Sequence, residues 1–586
     1  MDRRVIWAIA LMMLIALAPT FLRKPADRRI GGRADSLATP AAPPGAGAAA
    51  AGQAATSPNA PPPAAQAVPG DRAGVPADSA AAPGAASVRA DTVVVRAPLY
   101  TYAVSTLGGG IVSATLHQYH DMVAGDTGAV QIVRPGDALL ALRLVSARDT
   151  IALDGWTFTP SATALEVNGP TPLTLSATRG GVTVELTYLF TPDYRVAVTG
   201  RVTGLAAEGG LALVGLGSGL HNTEADSGQN YNAYALVVKD GGDAERTDFR
   251  KLDAGETRVL SGPFEWSAVK SKYFVASLFA LDSAAGRGRI TGVRATAPAA
   301  PGKYENDVEV TASLAVPAAG TLAYAAYLGP LEYERLAAIG HDFDDVNPYG
   351  WPGFRTLVRF FAVPVRWLLV QLHDNLHLAW GVALIAFGIL LRILLWPLNQ
   401  KAMRANMKMQ EMQPHLKAAQ ERYKDSPQQL QQEMFRLYKE YGVNPMSGCW
   451  PMLLPMPILF ALFFVFQNAI ELRGQPFLWL PDLSQPDPLY IIPLLMGASM
   501  FVLSKVGMSG MPPNPQATMM LYVMPVMMTV LFLNFASGLN LYYAVSNIAS
   551  IPQQWLLARE RKKRAARAIV EVKTKTPPKP PPKPKK

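Results

Sequence analysis

A chain of 586 residues has room for several domains, and 49% hydrophobic against 17% charged residues points to a membrane protein that carries a soluble part. A single cysteine, Cys449, excludes an intramolecular disulfide, and the seven scattered histidines offer no metal-ligand pair on one helix, so no metal or other cofactor is expected. The net charge of +10 is local: Arg559 to Lys586 holds twelve Lys/Arg against two Glu, the whole of the excess, which suits an acidic partner for the C-terminus.

In chain order, the apolar run 5–22 follows Arg3 and Arg4 and reads as an uncleaved transmembrane anchor (residues 1–24). A signal peptide would have to be cut just before Pro19, an unfavourable position. Residues 25–90 are rich in Ala, Pro and Gly with almost no large apolar side chain, and form a tether that cannot bury a core. From 91 to 340 the pattern changes to short runs of period two, such as GVTVELTYLF and YRVAVTGRV, separated by turn residues. That predicts a large antiparallel β-sandwich. His117, His120, His221 and Glu224 fall in it without any spacing that links them, and are read as surface or structural groups rather than a catalytic set.

Residues 350–374 hold an amphipathic helix in which Arg355, Arg359, Arg366 and His373 lie within about 40° of one another at 100° per residue. It is expected in the membrane interface, kinked at Pro364. The core, 375–558, opens with GVALIAFGILLRILLWPLNQ (381–400), which is expected to cross the bilayer and to end near Trp396-Pro397. Arg392 lies inside that span, where a guanidinium that cannot lose its proton costs roughly 2.5–3.5 kcal/mol on insertion scales. Snorkelling to the interface is one outlet for it, and a wet cavity is another. A polar helical hairpin, 399–445, follows, and its eight Lys/Arg between Lys401 and Lys439 put it in the cytoplasm. Apolar spans at 449–470, 489–506, 517–535 and 537–557 bring the total to six, with both termini cytoplasmic and the β-domain outside. The residues from 559 to 586 form a basic disordered tail.

Polar residues inside these spans form a second set. Asn540, Tyr543, Asn547, Ser550 and Gln554 are spaced 3, 4, 3 and 4 and line one helical face, while Gln467, Asn468 and Asn534 sit near span ends. One such group is ordinary interhelical glue, but five in a stripe with an intramembrane Arg suit a water-containing groove. No Asp or Glu lies in the late spans to pair with Arg392, which argues against a proton relay or cation path. The same helices are dense in methionine, among them Met496, Met500 and Met528, and flexible thioethers suit varied apolar partners.

Four stretches, ILLRILLWPLNQKAMRANMKMQEMQP, VNPMSGCWPMLLPMPILFALFFVF, ELRGQPFLWLPDLSQPDPLYIIPLLMG and SGLNLYYAVSNIASIPQQ, resemble the YidC membrane protein insertases, relatives of the Oxa and Alb proteins. The resemblance implies a five-helix insertase core with an external β-supersandwich and a bacterial inner-membrane location. It also implies that Arg392 is the groove charge, that the hairpin is needed for activity, and that Gly388, Met456, Pro457, Leu459, Phe535, Gly538, Tyr542 and Tyr543 contact substrate. Pro455, Ala536 and Gly388 depart from residues frequent in relatives. The expected function is a non-enzymatic insertase and chaperone for nascent membrane proteins, alone or with the Sec translocon. The basic tail and hairpin are set against ribosomal RNA, with anionic lipid the competing partner. Two other function classes stand beside this one. A solute transporter or channel with a sugar-binding external domain would need an inverted repeat and buried acids, and an anchored carbohydrate enzyme would place its chemistry in the β-domain.

Overall fold

The structure, a computed structural model, describes residues 91–125, 128–146, 150–204, 210–281, 290–300, 302, 307–350, 354–424, 426–440, 456–509 and 515–574. The anchor, the tether, Cys449, Pro455 and the last twelve residues lie outside them.

Alternation of small apolar and polar residues builds three sheets. In Arg195–Thr203 the residues Val196, Val198 and Val202 point inward, while Arg195, Thr199 and Arg201 face out. This strand pairs antiparallel with Thr321–Pro330 near the middle of a nine-stranded sheet. A six-stranded and a five-stranded sheet complete the sandwich, and among the named strands only Thr92–Arg96 and Ala164–Glu166 pair parallel. The core between the sheets is unusually rich in tyrosine. Tyr100 and Tyr102 stack with ring centroids 3.8 Å apart, and these two hydroxyls find acceptors in the carbonyls of Thr191 and Leu328. Every residue of Trp266–Lys270 is buried, because a 3-10 turn, Phe343–Val346, covers its outer face and packs Phe343 edge-on against Trp266. Two short helices, α1 (Ser227–Ala233) and α2 (Tyr333–Ile339), close the loops around it.

The remaining helices are α3 (Arg355–Asp374), α4 (Trp380–Arg422), α5 (Pro427–Glu440), α6 (Met456–Asn468), α7 (Ile491–Gly507), α8 (Pro515–Phe532) and α9 (Ser537–Thr574). Helix α4 packs on α3 and α9, α6 on α3, and α7 on both α8 and α9. Gly497 allows α7 to approach α8: a Cβ there would stand 1.9 Å from Thr529 Oγ1. Of the described helices, one stretch, Trp380–Gln400, is long and apolar enough to cross a bilayer on its own; Pro457–Asn468, Ile491–Gly507 and Thr518–Phe532 are shorter apolar helices.

Two expectations about helix ends are corrected. The first helix of the core does not stop near Trp396-Pro397 but runs 43 residues through Pro397 to Arg422, so it is also the first arm of the hairpin. The helix-favouring sequences before and after it, ALIAFGILLRILLW and LNQKAMRANMKMQEM, outweigh the one backbone hydrogen bond that proline removes. Likewise the last helix does not end at 558. It continues to Thr574, because ARERKKRAARAIVEVK contains neither Gly nor Pro. Two cross-links hold this extension: Arg561 donates to the Gly507 carbonyl at 2.5 Å, and Arg404 pairs with Glu560 at 3.6 Å.

The cationic face of α3 meets protein partners. Arg355 donates to the Ala244 carbonyl, Arg359 pairs with Asp344 at 2.7 Å and Asp345 at 3.3 Å, and Arg366 is buried against Glu471. Val358, Ala362, Val365 and Leu369 pack on the core helices, which leaves Leu357, Phe360 and Trp367 exposed. A second rivet joins the β-domain to the loop between α6 and α7. There Arg473 reaches into the sandwich, its Nε donating to both oxygens of Glu224 at 2.9 and 3.1 Å, Nη1 to the His120 carbonyl and Nη2 to that of Thr223. Both side chains are 2% exposed. Burial pushes the Glu224 carboxyl above its ordinary value, and the guanidinium opposes that shift.

Candidate functional site

Helices α4, α6, α7, α8 and α9 enclose a cavity of about 400 Å³. Its walls are mostly Leu, Ile and Met: Leu395 from α4, Leu459 and Leu462 from α6, Met496 and Met500 from α7, Met528 from α8. Against this apolar background stand a few polar groups. Arg392 projects from α4, and its Nε donates to Ser546 Oγ of α9 at 2.6 Å. Tyr542, Tyr543 and Asn547 follow along α9, with Asn399 and Ser504 toward the end away from the β-domain. No carboxylate lines the cavity among the described residues, so the guanidinium there faces hydroxyls, an amide and hydrocarbon. Arg392 is partly buried there, and a guanidinium, which cannot lose its proton, stays charged among these walls. Three or more His, Cys, Asp or Glu side chains placed to hold a metal do not occur among the described residues.

The family model for the YidC periplasmic domain matches residues 92–368, and that for the 60Kd inner membrane protein matches 371–564. The membrane protein insertase YidC of Oleidesulfovibrio alaskensis is 32% identical over 484 residues, covering 80% of this chain and 86% of the relative. That of Geobacter sp. is also 32% identical, over 474 residues, covering 79% and 85%. The chain belongs to the YidC family of membrane protein insertases. A solved YidC insertase structure with its first transmembrane domain resolved covers 80% of this chain and 94% of its own, at 17% identity and a TM-score of 0.32. YidC proteins of this kind reside in the bacterial inner membrane, and the β-sandwich is the periplasmic domain. They are insertases and not enzymes.

The side chains singled out from sequence divide into two groups. Arg392, Leu459, Tyr542, Tyr543 and Asn547 meet at the cavity. The others lie elsewhere. Asn540 is buried at the start of α9, where its Nδ2 donates to the Phe532 and Phe535 carbonyls and closes the turn from α8. Ser550 donates back to the Ser546 carbonyl of its own helix, and Gln554 lies against Gly507 of α7. Gln467 and Asn534 are exposed, and Asn468 borders a small polar recess with Arg366 and Glu471 under the β-domain. Gly388 is buried where α4 crosses α9, and Gly538 packs on the loop carbonyl of Leu483. Phe535 joins an aromatic cluster with Phe463 and Phe532, and Pro457 is half-buried away from the cavity wall. The Met456 side chain lies outside the described set.

Sequence reasoning missed Ser546, the residue that touches Arg392. A signal was present: Ser546 follows Tyr542 by four residues, so the two share a helical face that the 3-4-3-4 stripe brackets by one position. Of that stripe, only Tyr543 and Asn547 line the cavity, because the lower part of α9 packs its polar side on α7 and α4. There Asn547 donates to Ser499 Oγ at 3.2 Å, and the neighbouring Gln553 donates to the Trp396 carbonyl at 3.0 Å.

Proposed function

We propose that the insertase acts through the cavity around Arg392, open toward the cytoplasm, as a wet groove for nascent membrane segments. The observation that carries this reading is a guanidinium set among apolar walls with a neutral hydroxyl 2.6 Å away and no carboxylate in the lining described. A charge so placed retains water and attracts the polar or acidic flank of an incoming chain, so the flank is dehydrated over only part of the membrane thickness. The apolar segment then leaves sideways into lipid, driven by burial of its hydrocarbon surface. Arg392, Tyr543 and Asn547 form the polar side, and Leu459 with the methionines the adaptable apolar side.

In this reading six spans cross the membrane with both termini cytoplasmic, and the domain limits hold except that α4 runs on into the hairpin and α9 into the basic tail as far as Thr574. Helix α3 lies along the outer interface, exposing Leu357, Phe360 and Trp367 to lipid. The hairpin 399–445 and the basic extension of α9 receive the ribosome through rRNA, and the Sec translocon is a further partner. Family membership sets the transporter and carbohydrate-enzyme readings aside.

Insertion of a short single-span substrate into liposomes containing the purified protein tests the proposal. Wild type inserts it without ATP. Arg392→Ala is expected to impair substrates with acidic external tails more than neutral ones, and equal impairment removes the charge-attraction step. Photocrosslinkers at positions 456 and 543 are expected to reach the substrate in transit.

A further inference from the structure

The loop joining α6 to α7 has its polarity reversed relative to an ordinary surface loop. Between Glu471 and Tyr490 there are four charged residues, and all are turned inward. Glu471 pairs with Arg366, Arg473 with Glu224, and Asp482 and Asp487 are 3% and 0% exposed. The exposed positions are instead Pro476, Leu478, Trp479, Pro481, Pro488, Leu489 and Tyr490. A loop in water hides its apolar residues and shows its charges, and this one does the opposite.

Its backbone projects those side chains firmly. Phe477 and Leu480 exchange both backbone hydrogen bonds at 2.9 Å, which makes Leu478 and Trp479 the tip of a tight hairpin. Leu478 and Tyr490 adopt positive φ, +55° and +57°, a conformation that branched and bulky side chains rarely take. The buried Asp487 holds the arrangement: one carboxylate oxygen accepts from Trp479 Nε1 at 3.2 Å and from the Leu489 amide, the other from the Ile492 amide in the first turn of α7. The Phe477 ring lies over Gly381, where even a Cβ would stand 2.1 Å from it, so the tip sits level with the beginning of α4. Its apolar surface is continuous with the outward face of α7, where Ile491, Leu494 and Leu495 are exposed.

We infer that this loop is a lipid wedge: Leu478, Trp479, Leu489 and Tyr490 insert into the outer leaflet of the bilayer at the acyl–headgroup boundary. Trp479 and Tyr490 are residue types that favour that boundary, and the inward turn of all four charges keeps them out of lipid and so lowers the cost of placing the loop there. The wedge fixes the depth of the α4 and α7 ends in the membrane. The inference rests on α7 being a membrane span, as proposed above.

The full chain carries one cysteine, so Cys449→Ser gives a background for single nitroxide labels at L478C and L489C. Two reference sites are V502C, on the exposed face of α7, and V259C, 61% exposed on the β-domain. In liposomes of phosphatidylethanolamine and phosphatidylglycerol, power saturation is read with oxygen and with a water-soluble nickel chelate. The labels at 478 and 489 are expected to favour oxygen over nickel severalfold, between the values at 502 and 259. Nickel accessibility at both equal to that at 259, with 502 shielded, overturns the wedge, and that result also covers a loop reserved for a protein partner. Nickel accessibility at 502 itself overturns the span reading instead.

Discussion

Replacing Arg473 by Met tests how the periplasmic domain is held to the helices. The substitution keeps most of the apolar stem but removes a guanidinium that satisfies both oxygens of Glu224 and the carbonyls of His120 and Thr223. Glu224 then keeps only the Thr223 hydroxyl and the more distant charge of Lys272, and breaking a buried pair on one side costs about 3–5 kcal/mol. At 1.4 kcal/mol per factor of ten, local opening of the seam should rise by roughly a hundred- to a few-thousand-fold. Hydrogen exchange of the Met122 amide, bonded to the Thr223 carbonyl at 3.0 Å, reports this opening directly. The amide is expected to be well protected in wild type and to exchange faster in the variant by at least about a hundredfold, the lower bound of that range. Adding Glu224→Gln removes the stranded charge, so the double variant should recover protection to within about tenfold of wild type. An Arg473→Met variant that changes exchange by less than tenfold would refute the assignment of the seam to this ion pair.

Other perturbations address the cavity, the sandwich and the helix packing. Ser546→Ala should depress insertion of acidic-tailed substrates while sparing neutral ones, Ser546→Thr should restore it, and neither should add to Arg392→Ala; additive loss would separate Ser546 from the arginine. Lys270 is buried with Nζ 2.6 Å from Asn347 Oδ1, and burial holds its ammonium well below the ordinary lysine range. The unfolded chain therefore binds more protons between the depressed folded value and the ordinary one, and stability from this group rises with pH across that window. Lys270→Met should raise the melting temperature at neutral pH and flatten its increase toward alkaline pH, as read by fluorimetry of the detergent-solubilised protein. Gly497→Val places a side chain on Thr529 and should cost about 1–3 kcal/mol of overpacking strain, seen as a lower melting temperature; an unchanged one would show that α7 and α8 separate freely.

Much of this architecture was legible from the chain because its signals are periodic. Strands such as Arg195–Thr203 alternate without interruption, and Arg392 stands out as a charge in a run of aliphatic residues. What could not be read was partnership across long separations. The arginines of α3 share a face, which the sequence declares, but their acceptors Asp344, Asp345 and Glu471 come from a turn and a distant loop. Arg473 reads as an ordinary loop charge, and only the fold brings Glu224 to it from 249 positions away. The polar stripe of α9 suffers the same limit: periodicity defines its face, yet which neighbour that face meets at each level depends on how α7 and α4 cross it. At Pro397 residue type signals a helix end, while the helix-favouring neighbours that carry α4 onward are individually weak signals.

Helix α4 is the longest of the described helices. At 1.5 Å per residue its 43 residues make a rod of roughly 65 Å, about twice the hydrocarbon thickness of a bilayer. Its beginning is clamped where the Phe477 ring covers Gly381, and its far end carries the turn into α5. Arg392 stands about 18 Å from the clamped end and roughly 45 Å from the free one. Beyond the arginine, Gln553 and Glu560 of α9 tie the rod again at Trp396 and Arg404. A bend of the distal arm therefore hinges outside these ties, and the cavity charge keeps its place against Ser546.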